Sequence, residues 1–403
     1  MKQMRWAVAL IVLALVLAAC PAPAAAPANN SAGSQAAPAA STGVTETTTV
    51  SSTQASTGTA QTASSGELTP INLQLQWVAQ SQFAGYYAAV DQGYYKDEGL
   101  DVKILEGAVD IVPQTVVASG KAEFGIAWVP KMLASREQGA DLVNIAQVFQ
   151  RSGTLEISWK DTNITKPEDW KGKRVGTWGF GNEFELFAAM RKAGIEPNDA
   201  KQVTIVQQPF DMSLLLNKQI DAAEAMTYNE YAQVLEATNP ATGKLYQPED
   251  LNVINFNDVG TAMLQDHIFA RESWLKEAGH EDIAVKFLRA SFKGWIFCRD
   301  HFDECVQIVL KNGPTLGEGH MRWQLNEINA LIWPSANGIG IIDDNAYKQT
   351  VDISTQFKVL EKAPDAGAVR KDLAQKALDS LKDVDTKGEK FEKQKVEVTA
   401  GGE

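Results

Sequence analysis

Residues 71–105 read INLQLQWVAQSQFAGYYAAVDQGYYKDEGLDVKIL, and their apolar pattern changes twice. Apolar residues alternate up to Trp77, as on one face of a strand, and then recur at helical spacing from Phe83 to Glu98. Gly99 ends the predicted helix, and alternation returns in Leu100–Ile104. A strand, a helix and a second strand in this order predict parallel strands covered by a helix, which is an α/β arrangement.

The same pattern continues along the chain. We predict further strands at 124–127, 142–149, 173–177, 203–206 and 222–226, with helices between them. After about residue 258 the apolar residues recur mainly at helical spacing, which predicts the helices Ile283–Phe297, Val306–Leu310, Leu316–Ile332, Asp344–Val359 and Val369–Leu381. The patterned part of the chain is long enough for two packed domains.

The first residues are typical of an exported lipoprotein. Lys2 and Arg5 precede an apolar run at 7–18, and small residues stand just before Cys20. This predicts a signal peptide at residues 1–19, with Cys20 as the first residue of the mature chain and the site of lipidation. The alternative is a cysteine that merely follows an ordinary cleavage site. The apolar run is shorter than the roughly 20 residues that span a bilayer, so we expect a lipid anchor rather than an embedded chain.

Residues 20–68 are predicted to form a flexible linker. Residues 21–66 are dominated by Ala, Pro, Ser, Thr, Gly and Gln and contain no aromatic residue. Such a segment cannot bury enough apolar surface to offset the entropy lost on ordering. We therefore expect an extracytoplasmic protein tethered to the cell membrane.

Several classes of function are disfavoured by composition and motifs. The formal net charge is −13 and no basic stripe is present, so nucleic acid is an unfavourable partner. Residues 176–181 lack the lysine of a phosphate-binding loop, and no G-x-G-x-x-G follows a strand. None of the histidines has metal-ligand spacing, and no nucleophile–base pair is visible. We expect no resident cofactor, no metal site and no enzymatic activity.

Cys298 and Cys305 leave three alternatives open. They lie between the end of one predicted helix and the start of the next. Outside the cytoplasm a disulfide closing a small loop is favoured. Two buried thiols, or a metal pair with His301, are the other interpretations.

Aromatic and amide side chains follow the predicted strands. In α/β sheets ligands bind beyond the carboxyl ends of strands, so these positions are the candidate ligand contacts. They suit a flat, uncharged heteroaromatic ligand, whose faces stack on aromatic rings and whose edge bonds to amides and a carboxylate. Apart from Arg151, no Lys or Arg stands at these strand ends, which disfavours small anions. The predicted contacts are Trp77, Gln80, Phe83, Tyr86, Trp128, Gln150, Trp178, Glu183, Tyr228, Asn229 and Glu230.

Each of these residues also has a structural interpretation. A tryptophan at a strand end can be ordinary core packing, and Phe83 can line the buried face of its helix. Glu183 can be present because a carboxylate complements a helix N-terminus. The coincidence over five strand ends favours a binding site.

Three segments resemble a known family. They are Trp77–Ala88 (WVAQSQFAGYYA), Trp170–Gly176 (WKGKRVG) and Asp221–Glu230 (DAAEAMTYNE). They are similar to the substrate-binding lipoproteins of ABC importers in the thiamine-pyrimidine-precursor family, which includes fungal pyrimidine synthases and a riboflavin-binding branch. The synthases use a cysteine-rich motif that this chain lacks, which disfavours synthase activity.

The resemblance implies a type II periplasmic-binding-protein fold. Two α/β lobes, joined by crossover strands near Ile157–Lys160 and Phe256–Gly260, would close on the ligand. It further implies delivery of the ligand to a membrane permease with separate ATPase subunits, by a receptor expected to be monomeric. The predicted divisions are a first lobe at 69–158 plus 258–385, a second lobe at 159–257 and a charged, frayed tail at 386–403.

Within this family the ligand is either riboflavin or a thiamine pyrimidine precursor of the formylaminopyrimidine or hydroxymethylpyrimidine type. Trp77, Trp128, Trp178 and Phe180 form a larger aromatic set than a single pyrimidine ring requires. The sequence therefore favours the three-ring flavin.

Overall fold

A computed structural model describes residues 67–108 and 110–403. Three predictions lie outside these residues and stay predictions: the signal peptide, the lipidation of Cys20 and almost all of the linker. In the described part of the chain, no helix is both long enough and apolar enough to cross a membrane.

The described residues contain the predicted strands and helices and also three strands that the apolar pattern did not predict, Thr154–Trp159, Leu251–Asn255 and His267–Ala270. The strands are β1 Thr69–Gln74, β2 Leu100–Leu105, β3 Phe124–Ala127, β4 Val143–Gln147, β5 Thr154–Trp159, β6 Arg174–Thr177, β7 Thr204–Gln207, β8 Ala223–Met226, β9 Leu251–Asn255 and β10 His267–Ala270. The helices are α1 Ala84–Asp91, α2 Tyr94–Asp97, α3 Pro113–Ala118, α4 Val129–Glu137, α5 Phe184–Lys192, α6 Ser213–Leu216, α7 Glu230–Glu236, α8 Phe256–Val259, α9 Glu272–Leu275, α10 His280–Asp300, α11 Phe302–Asn312, α12 Glu318–Ile332, α13 Asp344–Gln356 and α14 Lys371–Asp379.

The strands form two groups. The first sheet has the order β2-β1-β3-β10-β4, with β1 parallel to β2 and β3, and β10 antiparallel to β3 and β4. In the second group β5 pairs antiparallel with β8 and β9, and β6 pairs parallel with β7. A parallel bridge between Val175 and Ala222 joins these two pieces into a second sheet. We call the parts that carry the two sheets the first and second lobes.

The chain passes between the sheets in two segments, residues 148–153 and 256–266, which we call the crossing segments. The predicted crossover near Ile157–Lys160 is wrong, because β5 is paired with β8 and β9 and already belongs to the second sheet. All six residues of β5 are buried, as expected for a central strand. The N-terminal part of the first lobe therefore ends before Thr154 rather than at residue 158. The second crossing segment, residues 256–266, includes the predicted crossover Phe256–Gly260.

The predicted single helix from Phe83 to Glu98 is divided in the structure. Gly93 has a φ of 75°, in the left-handed region that glycine adopts without strain, and it separates α1 from α2. Glycine also allows α1 to pack closely on α10. A Cβ at Gly294 would collide with the carbonyl oxygen of Gly85, so only glycine fits at this crossing.

Cys298 and Cys305 form a disulfide in the structure. Both residues are buried, Cys298 near the end of α10 and Cys305 in α11. The bond joins two consecutive helices of the first lobe, and it replaces the alternatives of free thiols or a metal pair.

The tail at residues 386–403 is packed rather than frayed, which corrects the prediction. Asn326 and Gln394 exchange two hydrogen bonds, Nδ2 to the Gln394 carbonyl and the Gln394 amide to Oδ1, each of 2.8 Å. Phe391 and Val396 pack against the core of the first lobe, and Val398 packs against a cluster of mostly second-lobe residues. These partly buried apolar side chains, spaced among charged residues, hold the segment against the protein.

Candidate functional site

A cavity of about 270 Å³ lies where the loops of the two lobes meet. Trp77 follows β1 and Trp128 follows β3 in the first lobe, while Trp178 follows β6 and Tyr228 follows β8 in the second lobe. The cavity is therefore at the carboxyl ends of strands, where α/β folds bind ligands. Its aromatic lining consists of Trp77, Trp128, Trp178, Phe180, Phe184, Phe210 and Tyr228.

The structure brings most of the predicted contacts together. Those that line the cavity are Trp77, Gln80, Trp128, Trp178, Tyr228, Asn229 and Glu230. They come from both lobes, although they are far apart in the sequence.

Four predicted contacts do not line the cavity. Phe83 and Tyr86 are buried in the first-lobe core, where the Tyr86 and Trp295 rings meet edge to face at 5.6 Å. Gln150 donates through Nε2 to the carbonyl of Gln147 at 2.7 Å, inside the first crossing segment. None of these three residues lines the cavity, because a position after a strand does not fix the direction in which its side chain points.

Glu183 acts on the cavity only through a loop. Its Oε2 accepts a hydrogen bond of 2.8 Å from the backbone amide of Gly181. That contact fixes the turn that presents Phe180, whose ring is 63% exposed. The carboxylate supports the aromatic rim of the second lobe and is not itself a lining residue.

Two aromatic side chains meet across the lobes at the cavity. The Trp77 and Phe210 ring centroids are 3.8 Å apart, with an angle of 42° between the planes. Trp77 comes from the first lobe and Phe210 from the loop after β7 in the second lobe. The two rings therefore form a direct contact between the lobes.

Asp266 orders the glutamines on the first-lobe side. Its Oδ1 accepts a hydrogen bond of 2.6 Å from Gln76 Nε2, and its Oδ2 accepts one of 2.9 Å from Gln82 Nε2. Gln80 Nε2 donates in turn to Gln82 Oε1 at 2.7 Å. Burial raises the pKa of Asp266 to about 7, and the bonds from Gln82 and Gln76 oppose that rise. A carboxylate accepts hydrogen bonds, so it fixes the Nε2 end of both amides towards Asp266.

A second polar network links the lobes on the other side. Glu230 accepts hydrogen bonds from the backbone amide of Met226 at 2.9 Å and from Asn229 Nδ2 at 2.7 Å. Asn229 Oδ1 is 2.8 Å from His320 Nε2, and His320 Nδ1 is 2.8 Å from Glu236 Oε1. Burial raises the pKa of Glu230 to about 7.

Lys131 is a cavity residue that the sequence analysis missed. It lies in the first turn of α4, three residues after Trp128, and its side chain lines the cavity. The prediction considered only the strand ends, where Arg151 is the one cation, and Lys131 lies beyond them while Arg151 does not line the cavity. Arg151 donates instead to carbonyls at the end of α12, including Pro334 at 2.8 Å. A search extended by one helical turn beyond each strand would have found Lys131.

Other missed lining residues are brought in by tertiary structure. Gln114 and Pro113 come from α3, Asn182 from the loop before α5, and Phe210 from the loop after β7. Among the described residues, no three His, Cys, Asp or Glu side chains are grouped closely enough to hold a metal ion. The site as described offers aromatic faces, amides, one ammonium and one carboxylate.

The chain matches a family model described as "NMT1/THI5 like" over residues 80–305. Among curated relatives, the formylaminopyrimidine-binding protein of Halalkalibacterium halodurans is 24% identical over 62% of this chain and 73% of its own length. The riboflavin-binding protein RibY of Chloroflexus aurantiacus is 24% identical over 70% of this chain and 79% of its own.

Two further comparisons concern the fold and the similarity to the fungal synthases. The periplasmic aliphatic sulphonate binding protein SsuA of Escherichia coli superposes with a TM-score of 0.54 at 15% identity, covering 75% of this chain and 91% of that one. This confirms the predicted binding-protein fold. The 4-amino-5-hydroxymethyl-2-methylpyrimidine phosphate synthase of Schizosaccharomyces pombe is 28% identical, but over only 32% of this chain and 37% of its own length.

Proposed function

Because the chain belongs to the NMT1/THI5-like family, we propose that it is an extracytoplasmic substrate-binding lipoprotein of an ABC importer. It captures riboflavin in the cavity between its lobes and delivers it to a membrane permease. The single observation that carries this proposal is the convergence of tryptophan, phenylalanine and tyrosine rings from both lobes on one cavity.

The chemistry of the cavity supports a flat ligand. Stacking of a ring on an aromatic side chain contributes about 1–3 kcal/mol per ring, by analogy with nucleic-acid bases. The amides ordered by Asp266 and the Asn229–Glu230 pair supply donors and acceptors for the ligand edge. Contacts from both lobes favour a closed complex, since each lobe holds part of the same ligand.

Between riboflavin and a thiamine pyrimidine precursor, the number of aromatic side chains in the cavity favours riboflavin. Seven aromatic side chains line the cavity, more than one pyrimidine ring can contact. A thiamine pyrimidine precursor is the second candidate, supported by the similarity to the formylaminopyrimidine-binding protein. We assign no reaction to the cavity, and the partial match to the fungal synthase gives little support for one.

Titration of the purified protein with riboflavin tests the proposal. We expect a 1:1 complex that quenches flavin fluorescence and raises the melting temperature, because a ligand that binds the folded state stabilises it. Formylaminopyrimidine, followed by calorimetry, is the comparison ligand. If riboflavin leaves both fluorescence and melting temperature unchanged, the flavin assignment is wrong.

Trp77→Ala locates the site. Loss of one stacked ring should weaken riboflavin binding by about tenfold or more. Val78→Ala is the control, because Val78 is the exposed neighbour and does not line the cavity. Equal affinities for wild type and Trp77→Ala would place the binding site elsewhere.

A further inference from the structure

Lys131 brings a positive charge to the first-lobe wall of the cavity. It is the one cation among the described lining residues, and the lining carboxylate, Glu230, belongs to the second lobe. The remaining described side chains on the first-lobe wall are uncharged. An ammonium at this position therefore gives one part of the wall a distinct chemical preference.

The ammonium is poorly partnered by the protein. Its contact with Asn182 Oδ1 is 3.4 Å long, and the Trp128 ring centroid is 5.8 Å from Nζ. Within residues 67–108 and 110–403 it forms no ion pair. Burial lowers the pKa of Lys131 to about 8, while the more distant carboxylates of Glu183, Asp266 and Glu224 act in the opposite direction. The group therefore still carries its proton at neutral pH.

A half-buried ammonium with one long contact is unfavourable until an acceptor reaches it. The ammonium offers three donors and accepts no hydrogen bond. We propose, on the basis of the proposed function, that Lys131 determines ligand specificity by donating to a ring carbonyl oxygen of the bound heteroaromatic. The cavity then takes rings that carry a carbonyl on their edge in preference to aminopyrimidines.

Riboflavin and a thiamine pyrimidine precursor differ in the group that the Lys131 ammonium would meet. The pyrimidinedione edge of riboflavin carries two carbonyl oxygens, each able to accept from Nζ. The edge of an aminopyrimidine carries an exocyclic amine, which is itself a donor, and its acceptors are ring nitrogens rather than carbonyl oxygens. A donor opposite a donor leaves both groups unpaired in a desolvated site, and sites of this kind discriminate strongly.

The test compares Lys131→Met and Lys131→Gln with wild type, using riboflavin, lumichrome and 4-amino-5-hydroxymethyl-2-methylpyrimidine as probes. Lumichrome keeps the dione edge without the ribityl chain, so it isolates contacts to the ring. We expect Lys131→Met to weaken riboflavin and lumichrome by about tenfold or more, the usual size of a lost charge-assisted hydrogen bond. The affinity for the aminopyrimidine should change by less than about twofold. Lys131→Gln, which keeps a donor, should lose less than Lys131→Met.

Lys121→Met is the matched control, because Lys121 is an exposed lysine of the same lobe that does not line the cavity. It should leave all three affinities unchanged, and melting temperatures check that each variant is folded. Wild-type-like binding of riboflavin by Lys131→Met, or an equal loss for all three probes, would overturn the specificity role and leave the importer function intact. A wild-type protein that binds neither riboflavin nor lumichrome would overturn the flavin assignment and this inference with it.

Discussion

The crossing segments and the cavity each contain a buried glutamine, Gln265 and Gln114, and the two amides are partnered differently. In the crossing segments, Gln265 Oε1 accepts from the Gly153 amide at 2.8 Å and its Nε2 donates to Thr154 Oγ1 at 2.5 Å. Glu185 accepts from Ser152 Oγ and from the Met263 amide, both at 2.8 Å. These side chains bond the two crossing segments to each other and to the second lobe.

In the cavity, comparable groups are left without partners. Gln114 is 3% exposed, and its Oε1 forms no hydrogen bond within the described residues. Lys131 has only its long contact to Asn182. The contrast indicates that the Gln265 amide stabilises the fold, whereas the Gln114 amide is available to a ligand.

Gln265→Leu should have the largest effect on stability. Leucine has a similar size but leaves the Gly153 amide and the Thr154 hydroxyl without their partner in a buried site. The expected loss is about 2–4 kcal/mol in the free energy of unfolding, measured by chemical denaturation. Gln92→Leu, at an exposed position on the first lobe, is the control and should change stability by about 0.5 kcal/mol or less. A loss no larger than that of the control would contradict the structural role of this amide.

Glu185→Gln should change how stability depends on pH. Burial raises the pKa of Glu185 from 4.5 to about 8. A raised carboxyl pKa favours folding at low pH, and this contribution is lost as the pH rises from about 4.5 through 8. Asp266 and Glu230, with pKa values raised to about 7, act in the same direction. The wild-type free energy of unfolding should therefore fall between pH 5 and 7.5.

The variant should reduce that slope by about 1 kcal/mol per pH unit, because one proton no longer distinguishes the folded from the unfolded state. Glutamine can still accept from the Met263 amide and donate to Ser152 Oγ, so the fold should be kept. Denaturation curves at several pH values provide the measurement. Parallel pH profiles for wild type and Glu185→Gln would mean that this carboxyl does not titrate as its burial indicates.

The strands β1–β4 and β6–β8 and the aromatic part of the cavity could be predicted from the sequence because both depend on local patterns. Trp128 and Trp178 directly follow strands, and parallel topology brings such positions together. Phe83 and Tyr86 could not be assigned in the same way, since the 3₁₀ turn Ser81–Phe83 and the helix α1 turn them into the core. A residue type at a strand end does not reveal the direction of its side chain.

The polar part of the site depends on long-range contacts. Asp266 lies 190 residues from Gln76, and His320 lies 91 residues from Asn229, yet each pair is hydrogen-bonded. The chain also enters the second sheet at Thr154, earlier than predicted, because long-range pairing with β8 and β9 places β5 there. Apolar periodicity carries no information about such pairings.

Gln114→Leu should have the smallest effect on stability, and in the opposite direction from Gln265→Leu. It removes a buried amide whose Oε1 has no partner among the described residues, so the free energy of unfolding should stay unchanged or rise by up to about 1 kcal/mol. Riboflavin affinity should fall, because a polar contact available to the ligand is lost. Chemical denaturation and a riboflavin titration measure the two effects on one variant. If Gln114→Leu destabilises the protein as much as Gln265→Leu does, both amides stabilise the fold. Gln114 would then not be a group that is left available to a ligand.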